Sequence, residues 1–291
     1  MEVINMYYGS VEAGGTKFVC AVGDSTFNVL ERVSFPTTTP DETLAHVFEF
    51  FDKYELVAIG IGAFGPVDVN PSSKTYGYIT TTPKPHWDHY HFLGAIQEHY
   101  AIPIGFTTDV NAAALGEHGF GAAKGLRSCL YLTIGTGIGG GAVVNDELLS
   151  GFSHPEMGHI IVRLHPEDDY TGFCPFHQNC LEGLASGPAV EKRVGMKADQ
   201  LKSDHLVWTF VAHYIAQAVM NYVLILSPKK IILGGGVMNQ AHLFPMIRQE
   251  LTTLMAGYVA LPDLEDYIVA PALGHHAATI GCLMLAKKAM N

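Results

Sequence analysis

The sequence has few charged residues, and basic residues are scarcer than acidic ones. Of the 291 residues, 15% are charged and 48% are hydrophobic, which excludes a disordered chain. The 17 Lys and Arg against 28 Asp and Glu leave a formal net charge of -11, which argues against non-specific nucleic-acid binding. The start lacks the basic region and apolar run of a signal peptide. Because even the apolar run at residues 219–226 is interrupted by Asn221, no stretch is expected to span a bilayer. We therefore expect a cytoplasmic protein without membrane or nucleic-acid partners.

Cysteine is also scarce, with five in the chain, and two of them occur close to histidines. Cys174 and Cys180 form a C-x-x-H-x-x-C pattern around His177, and His159 lies shortly before it. Two cysteines and two histidines fit a closed tetrahedral zinc site, and four protein ligands leave no open position for catalysis. A structural zinc is therefore predicted. The alternatives are a chance grouping or a disulfide between the two cysteines.

Two carboxylates flank these ligands. Glu156 lies three residues before His159, and Glu182 lies two residues after Cys180. Binding of all four ligands to one metal would bring both carboxylates into one region. The other three cysteines lie in apolar sequence and are predicted to be reduced and buried; they are Cys20, Cys129 and Cys282.

Glycine, in contrast, is abundant and clustered. Residues 7–11 and 18–22 predict a β-hairpin around Glu-Ala-Gly-Gly-Thr-Lys (12–17), followed by a third strand at 29–35. Residues 129–134 and 142–144 repeat this pattern around the glycines at 135–141. A single Gly-Gly tip is usually only a turn, but two such tips could hold a polyphosphate. A third cluster at 234–236 separates a predicted strand from a helix, as in nucleotide-binding turns.

Further candidates lie at the ends of two other predicted strands. The strand at 57–61 leads into a glycine-rich loop containing Gly65, a candidate substrate edge. A second strand at 104–107 precedes an Ala-rich helix that is capped by Asp109 or its neighbour, and Asp109 is either only an N-cap or a general base. The irregular loop at 80–87 either lines a pocket or covers the core. Further helices are predicted at 40–53, 91–100, 204–226, 240–254 and 274–290.

Taken in order, these motifs resemble the ROK family of sugar kinases and repressors. The resemblance covers nearly the whole chain and is strongest to the bacterial fructokinases of that family. It depends on the motif at 12–17, on Thr-Asp-Val-Asn-Ala-Ala-Ala-Leu-Gly-Glu (108–117), on Thr-Ile-Gly-Thr-Gly-Ile-Gly (133–139), on Glu-Met-Gly-His (156–159), on the Cys/His pattern with Glu182, and on Leu-Gly-Gly-Gly-Val (233–237).

The resemblance implies an α/β, two-domain actin-like ATPase fold (sugar kinase, ribonuclease H-like) with mixed sheets and an interdomain cleft. We expect residues 1–109 to form an N-terminal lobe, completed by the last helix at 275–291, and residues 110–274 to form a C-terminal lobe. It also implies ATP-dependent phosphorylation of a hexose, most plausibly fructose, with mannose, glucose or N-acetylmannosamine as alternative substrates. Magnesium with ATP, structural zinc and a homodimer are expected.

The family's functional residues transfer to matching positions of this sequence. Asp109 is expected to be the general base, and Glu156, His159, Glu182 and Gly65 to bind the sugar. The metal ligands are His159, Cys174, His177 and Cys180. ATP is expected at Gly14, Gly15, Thr16, Lys17, Thr133, Gly135, Thr136, Gly137, Pro188, Gly234, Gly235, Gly236 and Asn239.

Three positions depart from the family pattern. Glu12 replaces an Asp, which predicts a longer or water-mediated magnesium contact. Thr108 stands where glucose-specific members have Asn, which weakens the case for glucose. His177 replaces a Cys, and imidazole is an acceptable zinc ligand. A sugar-responsive regulator is the alternative from another class, but the eleven residues before Glu12 are too few for a helix-turn-helix domain.

Overall fold

The computed structural model describes residues 6–291 of the chain. Its strands are β1 (Tyr7–Ala13), β2 (Lys17–Gly23), β3 (Val29–Pro36), β4 (Leu56–Ala63), β5 (Ile104–Thr108), β6 (Ser128–Ile134), β7 (Ile138–Val144), β8 (Glu147–Leu148), β9 (Ile231–Gly234) and β10 (Ile268–Val269). Its helices are α1 (Pro40–Phe51), α2 (Phe92–His99), α3 (Asp109–Phe120), α4 (Leu181–Ala185), α5 (Gly187–Val194), α6 (Val207–Leu226), α7 (Leu243–Met255), α8 (Leu264–Tyr267) and α9 (Ala277–Lys288). The short elements β8, α4 and α8 were not predicted, because they contain too few residues to show a hydrophobic period.

The first sheet has the strand order β3-β2-β1-β4-β5 and is mixed. The predicted hairpin and third antiparallel strand are present, since β2 pairs antiparallel with both β1 and β3. Strands β4 and β5 continue the sheet in parallel from β1. In one row across this sheet Ala13 lies opposite Ala63, and Ala63 lies opposite Thr108. The three parallel strands therefore end together at one edge.

Aromatic side chains fill the core beside this sheet. The Phe18 ring lies 5.5 Å from the Trp87 ring and 5.7 Å from the Phe92 ring, and all three side chains are buried. The Trp87 indole N–H donates to the carbonyl of Thr38 at 2.7 Å, which satisfies its polar atom. The loop at 80–87 was expected either to line a pocket or to cover the core. The buried position of Trp87 supports the second alternative.

The second sheet has the strand order β10-β9-β6-β7-β8 and is also mixed. Strand β6 pairs antiparallel with β7 and parallel with β9, so that the Gly-rich tip and the Gly-rich turn follow neighbouring strands. Helices α6 and α7 pack against each other.

Among the described residues, α6 is long and apolar enough to cross a membrane by length and composition alone, with a mean hydropathy of 1.4. By length and composition, the expectation that no apolar stretch is long enough to span a bilayer is therefore wrong for α6. The interruption at Asn221 does not lower the mean hydropathy of the helix enough to exclude it. Within that window 61% of the residues are buried inside the protein, and a buried core helix meets the same two criteria.

The chain divides into two compact units. Unit 1 contains the described residues up to Lys124, Glu147–Pro155 and His275–Asn291, whereas unit 2 contains Gly125–Asp146 and Glu156–Gly274. Within unit 1, α9 packs against α3 and against β4. The lobe boundary between residues 109 and 110 stays a prediction.

Candidate active site

Three predicted site segments begin at the common edge of the parallel strands in unit 1. The first glycine tip (residues 14–16) follows β1, the Gly65 loop follows β4, and Asp109 follows β5. The row that joins Ala13, Ala63 and Thr108 immediately precedes all three. Ligand-binding loops of open α/β sheets gather at such carboxyl ends. Unit 1 therefore brings these three predicted segments to one sheet edge.

The first tip is held in shape by Thr37. The backbone N–H of Gly14 donates to the carbonyl of Lys17 at 3.0 Å and closes the turn. The Thr37 hydroxyl donates to the carbonyl of Gly14 at 2.6 Å. The backbone N–H of Thr37 donates to the carbonyl of Thr16 at 2.9 Å. Lys84 in turn donates to the carbonyl of Thr37 at 2.8 Å. The roles of Thr37 and Lys84 are not recognisable in the sequence, because both residues act through contacts distant in the chain.

Asp109 is the first residue of α3, and Thr108 is its N-cap. The Thr108 hydroxyl accepts from the backbone N–H of Asn111 at 3.1 Å. The Asp109 carboxylate accepts instead from the adjacent N–H of Val110 at 2.8 Å. Since Thr108 supplies the cap, the alternative that assigned Asp109 only a capping role loses its structural basis.

Glu12 lies in β1, two residues before the first tip. Burial raises the pKa of its carboxyl, against the opposing charges of Arg32, Lys17 and His275. Its Oε2 atom is buried and accepts no hydrogen bond within residues 6–291. A buried carboxylate oxygen without a partner is costly, so this atom is available to a cation.

The second glycine tip (residues 135–137) adjoins two other predicted ATP-binding segments in unit 2. The N–H of Gly187, at the start of α5, donates to the carbonyl of Gly135 at 2.8 Å. A methyl group on Gly135 would lie 3.6 Å from the backbone nitrogen of Gly236. Thr133 pairs with Gly234 across β6 and β9. Pro188 opens α5, and Asn239 ends the 3-10 turn Gly236–Asn239.

Ile138, the first residue of β7, brings both predicted sugar carboxylate segments next to this tip. Its N–H donates to Oε2 of Glu182 at 2.9 Å. On its other side, a methyl group on Gly158 would lie 1.8 Å from the Ile138 carbonyl oxygen, so only glycine fits there. Gly158 belongs to the 3-10 turn Met157–His159, in which the N–H of His159 donates to the carbonyl of Glu156.

The four predicted metal ligands form one cluster in unit 2. The ligand atoms of His159, Cys174, His177 and Cys180 all lie within 4.8 Å of one another. Nδ1 of His159 is 3.8 Å from Sγ of Cys174 and 3.6 Å from Sγ of Cys180. Tetrahedral zinc places such atoms about 3.6 Å apart, so the cluster fits the ion.

The same cluster excludes one of the alternatives left open by the sequence. Cys174 and Cys180 are both free thiols, so they do not form a disulfide. Burial raises the pKa of the Cys180 thiol to about 11. A metal that binds its thiolate must therefore displace a proton, which makes metal affinity depend on pH.

Comparison with known proteins assigns the chain to a family. The model of the ROK family matches residues 8–289. The chain belongs to the ROK family. This confirms the resemblance that the motifs indicated, and all of those motifs lie within the matched residues.

Individual ROK proteins are similar to this chain over nearly the full length of both chains. A protein of Bacillus subtilis named putative fructokinase is 56% identical, with 97% of this chain and 96% of that protein covered. The fructokinase of Streptococcus mutans is 49% identical, with 97% of each covered. The crystal structure of the ROK hexokinase from Thermus thermophilus has a TM-score of 0.81 at 26% identity, with 98% of this chain and 99% of that chain covered. The predicted α/β fold with mixed sheets, of the ROK sugar-kinase type, is confirmed.

Proposed function

We propose that this chain transfers the γ-phosphoryl group of ATP to a primary hydroxyl of fructose. The observation that carries the proposal is the identity of 46–56% to four relatives named fructokinase or putative fructokinase, each covering nearly the whole chain. A ROK glucokinase from Streptomyces griseus with glucose and AMPPNP has a TM-score of 0.77 at 25% identity. That likeness supports a site for a hexose and a nucleotide.

In the proposed reaction Asp109 accepts the proton of the attacking hydroxyl. Phosphoryl transfer depends mainly on positioning and on stabilisation of charge, so a single well-placed base is sufficient. The N–H of Val110 donates to the carboxylate and fixes its orientation. The sugar is oriented by hydrogen bonds to Glu156, His159 and Glu182, as the family resemblance implies. The loop at Gly65 is added because it follows the carboxyl end of β4, where ligand loops gather.

The two glycine tips are proposed to hold the phosphates of ATP. The N–H groups of Gly14 and Gly135 close their own turns, so the other backbone N–H groups of the tips donate to phosphate oxygens and stabilise the charge that develops during transfer. The turn at 234–236 and the start of α5 receive the nucleoside, because Gly187 and Gly236 both lie next to Gly135. The residues assigned to ATP are Gly14, Gly15, Thr16, Lys17, Thr133, Gly135, Thr136, Gly137, Pro188, Gly234, Gly235, Gly236 and Asn239.

Two metals are part of the proposal. Magnesium bound with ATP would neutralise phosphate charge, and the buried Oε2 of Glu12 is the protein oxygen available near the first tip. Zinc would be held by His159, Cys174, His177 and Cys180 and would fix the loops on which Glu156 and Glu182 lie. The family resemblance also supports a cytoplasmic homodimer.

A panel of hexoses with ATP and magnesium tests the proposed reaction. Fructose is expected to give the highest kcat/KM, with mannose second and glucose poor. ADP release is measured with a coupled assay for each sugar. A higher kcat/KM for glucose, mannose or N-acetylmannosamine than for fructose would contradict the assignment, and no ADP release with any hexose would contradict a kinase.

Thr108 allows a sharper test of sugar choice within the same panel. Thr108→Asn keeps a residue that caps helices at least as well as threonine, so the fold should be preserved. Because asparagine is typical of glucose-specific family members at this position, the ratio of kcat/KM for glucose to that for fructose is expected to rise. Thr108→Ser, which keeps the hydroxyl cap, is the control and should leave the ratio unchanged.

A further inference from the structure

The carboxylate of Glu182 lies directly against the second glycine tip. Its Oε2 atom accepts the backbone N–H of Ile138, the residue that follows the tip, at 2.9 Å. A methyl group on Gly137 would lie 2.9 Å from the same oxygen atom. Glu182 is thus in contact with the backbone that is proposed to bind phosphate, in addition to any contact with the sugar.

The segment that carries Glu182 holds the tip at a second point. The α4 helix containing Glu182 ends at Ala185, and α5 begins two residues later at Gly187. The N–H of Gly187 donates to the carbonyl of Gly135 at 2.8 Å. The tip is therefore bound at its first residue by the start of α5 and just after its last residue by the side chain of Glu182.

One of the four predicted metal ligands, Cys180, in turn helps to position Glu182. Cys180 is the N-cap of α4, and its sulfur accepts the N–H of Gly183 at 3.4 Å. The N–H of Ser186 donates to the carbonyl of Glu182 at 3.3 Å and closes the short helix. Since α4 has only five residues, these two bonds help to hold the backbone that carries Glu182.

We propose that Glu182 is a positioning residue for the nucleotide: it holds the second glycine tip in the shape that binds phosphate before ATP arrives. This inference rests on the proposed kinase function and extends it, because the family resemblance gives Glu182 only a sugar contact. A glycine-rich tip loses much conformational freedom when it is ordered, and an acceptor that orders it in advance removes part of that cost from binding. The side chain of Glu182 is suited to this role because it is long enough to bring an acceptor oxygen to the N–H of Ile138.

Two substitutions separate the reach of the side chain from its charge. Glu182→Asp keeps the charge but withdraws the carboxylate by one methylene, so it should lose the bond to Ile138. Glu182→Gln keeps the length and an acceptor oxygen but removes the charge. Binding of AMPPNP with magnesium is measured by calorimetry without any hexose, so that a sugar contact of Glu182 cannot contribute.

The expected result is a difference between the two variants. Glu182→Asp should weaken AMPPNP binding by about tenfold because the hydrogen bond to Ile138 is lost, and Glu182→Gln should bind within about threefold of the parent because its amide oxygen still accepts that bond. AMPPNP affinity of Glu182→Asp equal to that of the parent would overturn the inference. Equal weakening in both variants would overturn it as well, since the reach of the side chain would then not matter.

Amide hydrogen exchange at Ile138 gives a readout independent of nucleotide. Exchange should be faster in Glu182→Asp than in the parent and nearly unchanged in Glu182→Gln. Zinc content and melting temperature verify that both variants are folded. If the parent itself fails to bind AMPPNP, the proposed kinase function is contradicted, and unchanged exchange at Ile138 in Glu182→Asp is then the result that overturns the positioning role.

Discussion

At the scale of single residues, the two carboxylates near the strand ends of unit 1 have different surroundings. Asp109 accepts a hydrogen bond from Val110, whereas Oε2 of Glu12 is buried and accepts none within the described part of the chain. Thr108 takes over the cap of α3, which separates the stability of that helix from the chemistry proposed for Asp109. Substitutions at Asp109 and Glu12 should therefore affect activity and stability differently.

Asp109→Asn is expected to abolish most of the turnover without unfolding the protein. The cap at Thr108 remains, so the melting temperature should stay close to that of the parent, and calorimetry should still detect hexose and nucleotide binding. Loss of the base should lower kcat at least about a hundredfold, the usual scale for general-base catalysis. A kcat within a few-fold of the parent, with folding intact, would exclude Asp109 as the base.

Glu12→Gln is expected to stabilise the protein at neutral and alkaline pH. Burial raises the pKa of Glu12 in the folded state, so the folded state holds its proton more tightly than the unfolded state. The associated stability is complete below the unfolded pKa and is lost as pH rises through the folded pKa. The neutral amide avoids this loss, so its melting temperature should exceed that of the parent at pH 8, and the difference should shrink toward pH 4.

The activity of the same variant tests the magnesium contact. If Glu12 supports the ion as proposed, Glu12→Gln should need more magnesium for half-maximal activity.

The stability measurement has its own contradicting outcome. If Glu12→Gln is no more stable than the parent at pH 8, burial of the charged carboxylate carries no cost.

At the scale of elements, short segments outside the long helices and strands hold the proposed site residues in place. The four proposed ligand side chains of unit 2 come from a 3-10 turn, a loop and the cap of α4. The first glycine tip is held by Thr37, which precedes α1, and the second by Glu182 on α4. Each of these segments is stabilised by a few hydrogen bonds, so single substitutions should be visible in binding measurements.

Cys174→Ser is expected to remove zinc. The parent should contain about one zinc per chain, and serine is a poor replacement for a thiolate ligand. The melting temperature should fall, because the bound metal stabilises the fold. The hexose KM should rise, because loss of zinc also releases Cys180, which lies two residues before Glu182. Elemental analysis and thermal melting measure both effects. Cys129→Ala, at a buried cysteine outside the cluster, should keep its zinc; a parent protein without zinc would refute the structural role.

Thr37→Val is expected to weaken ATP binding. Valine has nearly the same shape but lacks the hydroxyl that donates to Gly14 at 2.6 Å, and Thr37 is buried. The KM for ATP should rise roughly two- to tenfold, the equivalent of one neutral hydrogen bond, with little change in hexose KM. Thr37→Ser retains the hydroxyl and should behave like the parent. Identical ATP KM values for Thr37→Val and Thr37→Ser would show that this bond does not shape the first tip.

At the scale of the whole molecule, the acidic surface and the family resemblance make a prediction about assembly. A net charge of -11 keeps chains apart unless they form a specific interface. The homodimer implied by the resemblance predicts a particle with twice the 31.5 kDa of one chain. Size-exclusion chromatography with light scattering measures this mass at several protein concentrations, and a mass of one chain throughout would contradict the dimer.

The sequence alone determined the type of most elements and which four His and Cys residues group together. Strand and helix periods are local, as are the glycine clusters at strand ends, so β1–β7, β9 and the longer helices were predictable. The grouping of His159, Cys174, His177 and Cys180 was predictable because three of the four residues lie within seven positions. The family also followed from motifs in a fixed order.

Only the tertiary structure decided how these segments are held. Nothing local in the sequence indicates that Thr37 bonds to Gly14, that Thr108 rather than Asp109 caps α3, or that Glu182 accepts from Ile138. The contacts from Thr37 and Glu182 join residues 23 and 44 positions apart. The cap assignment depends on backbone angles at a single residue. Pairwise geometry of this kind is fixed by packing across the fold, which residue types and spacing do not specify.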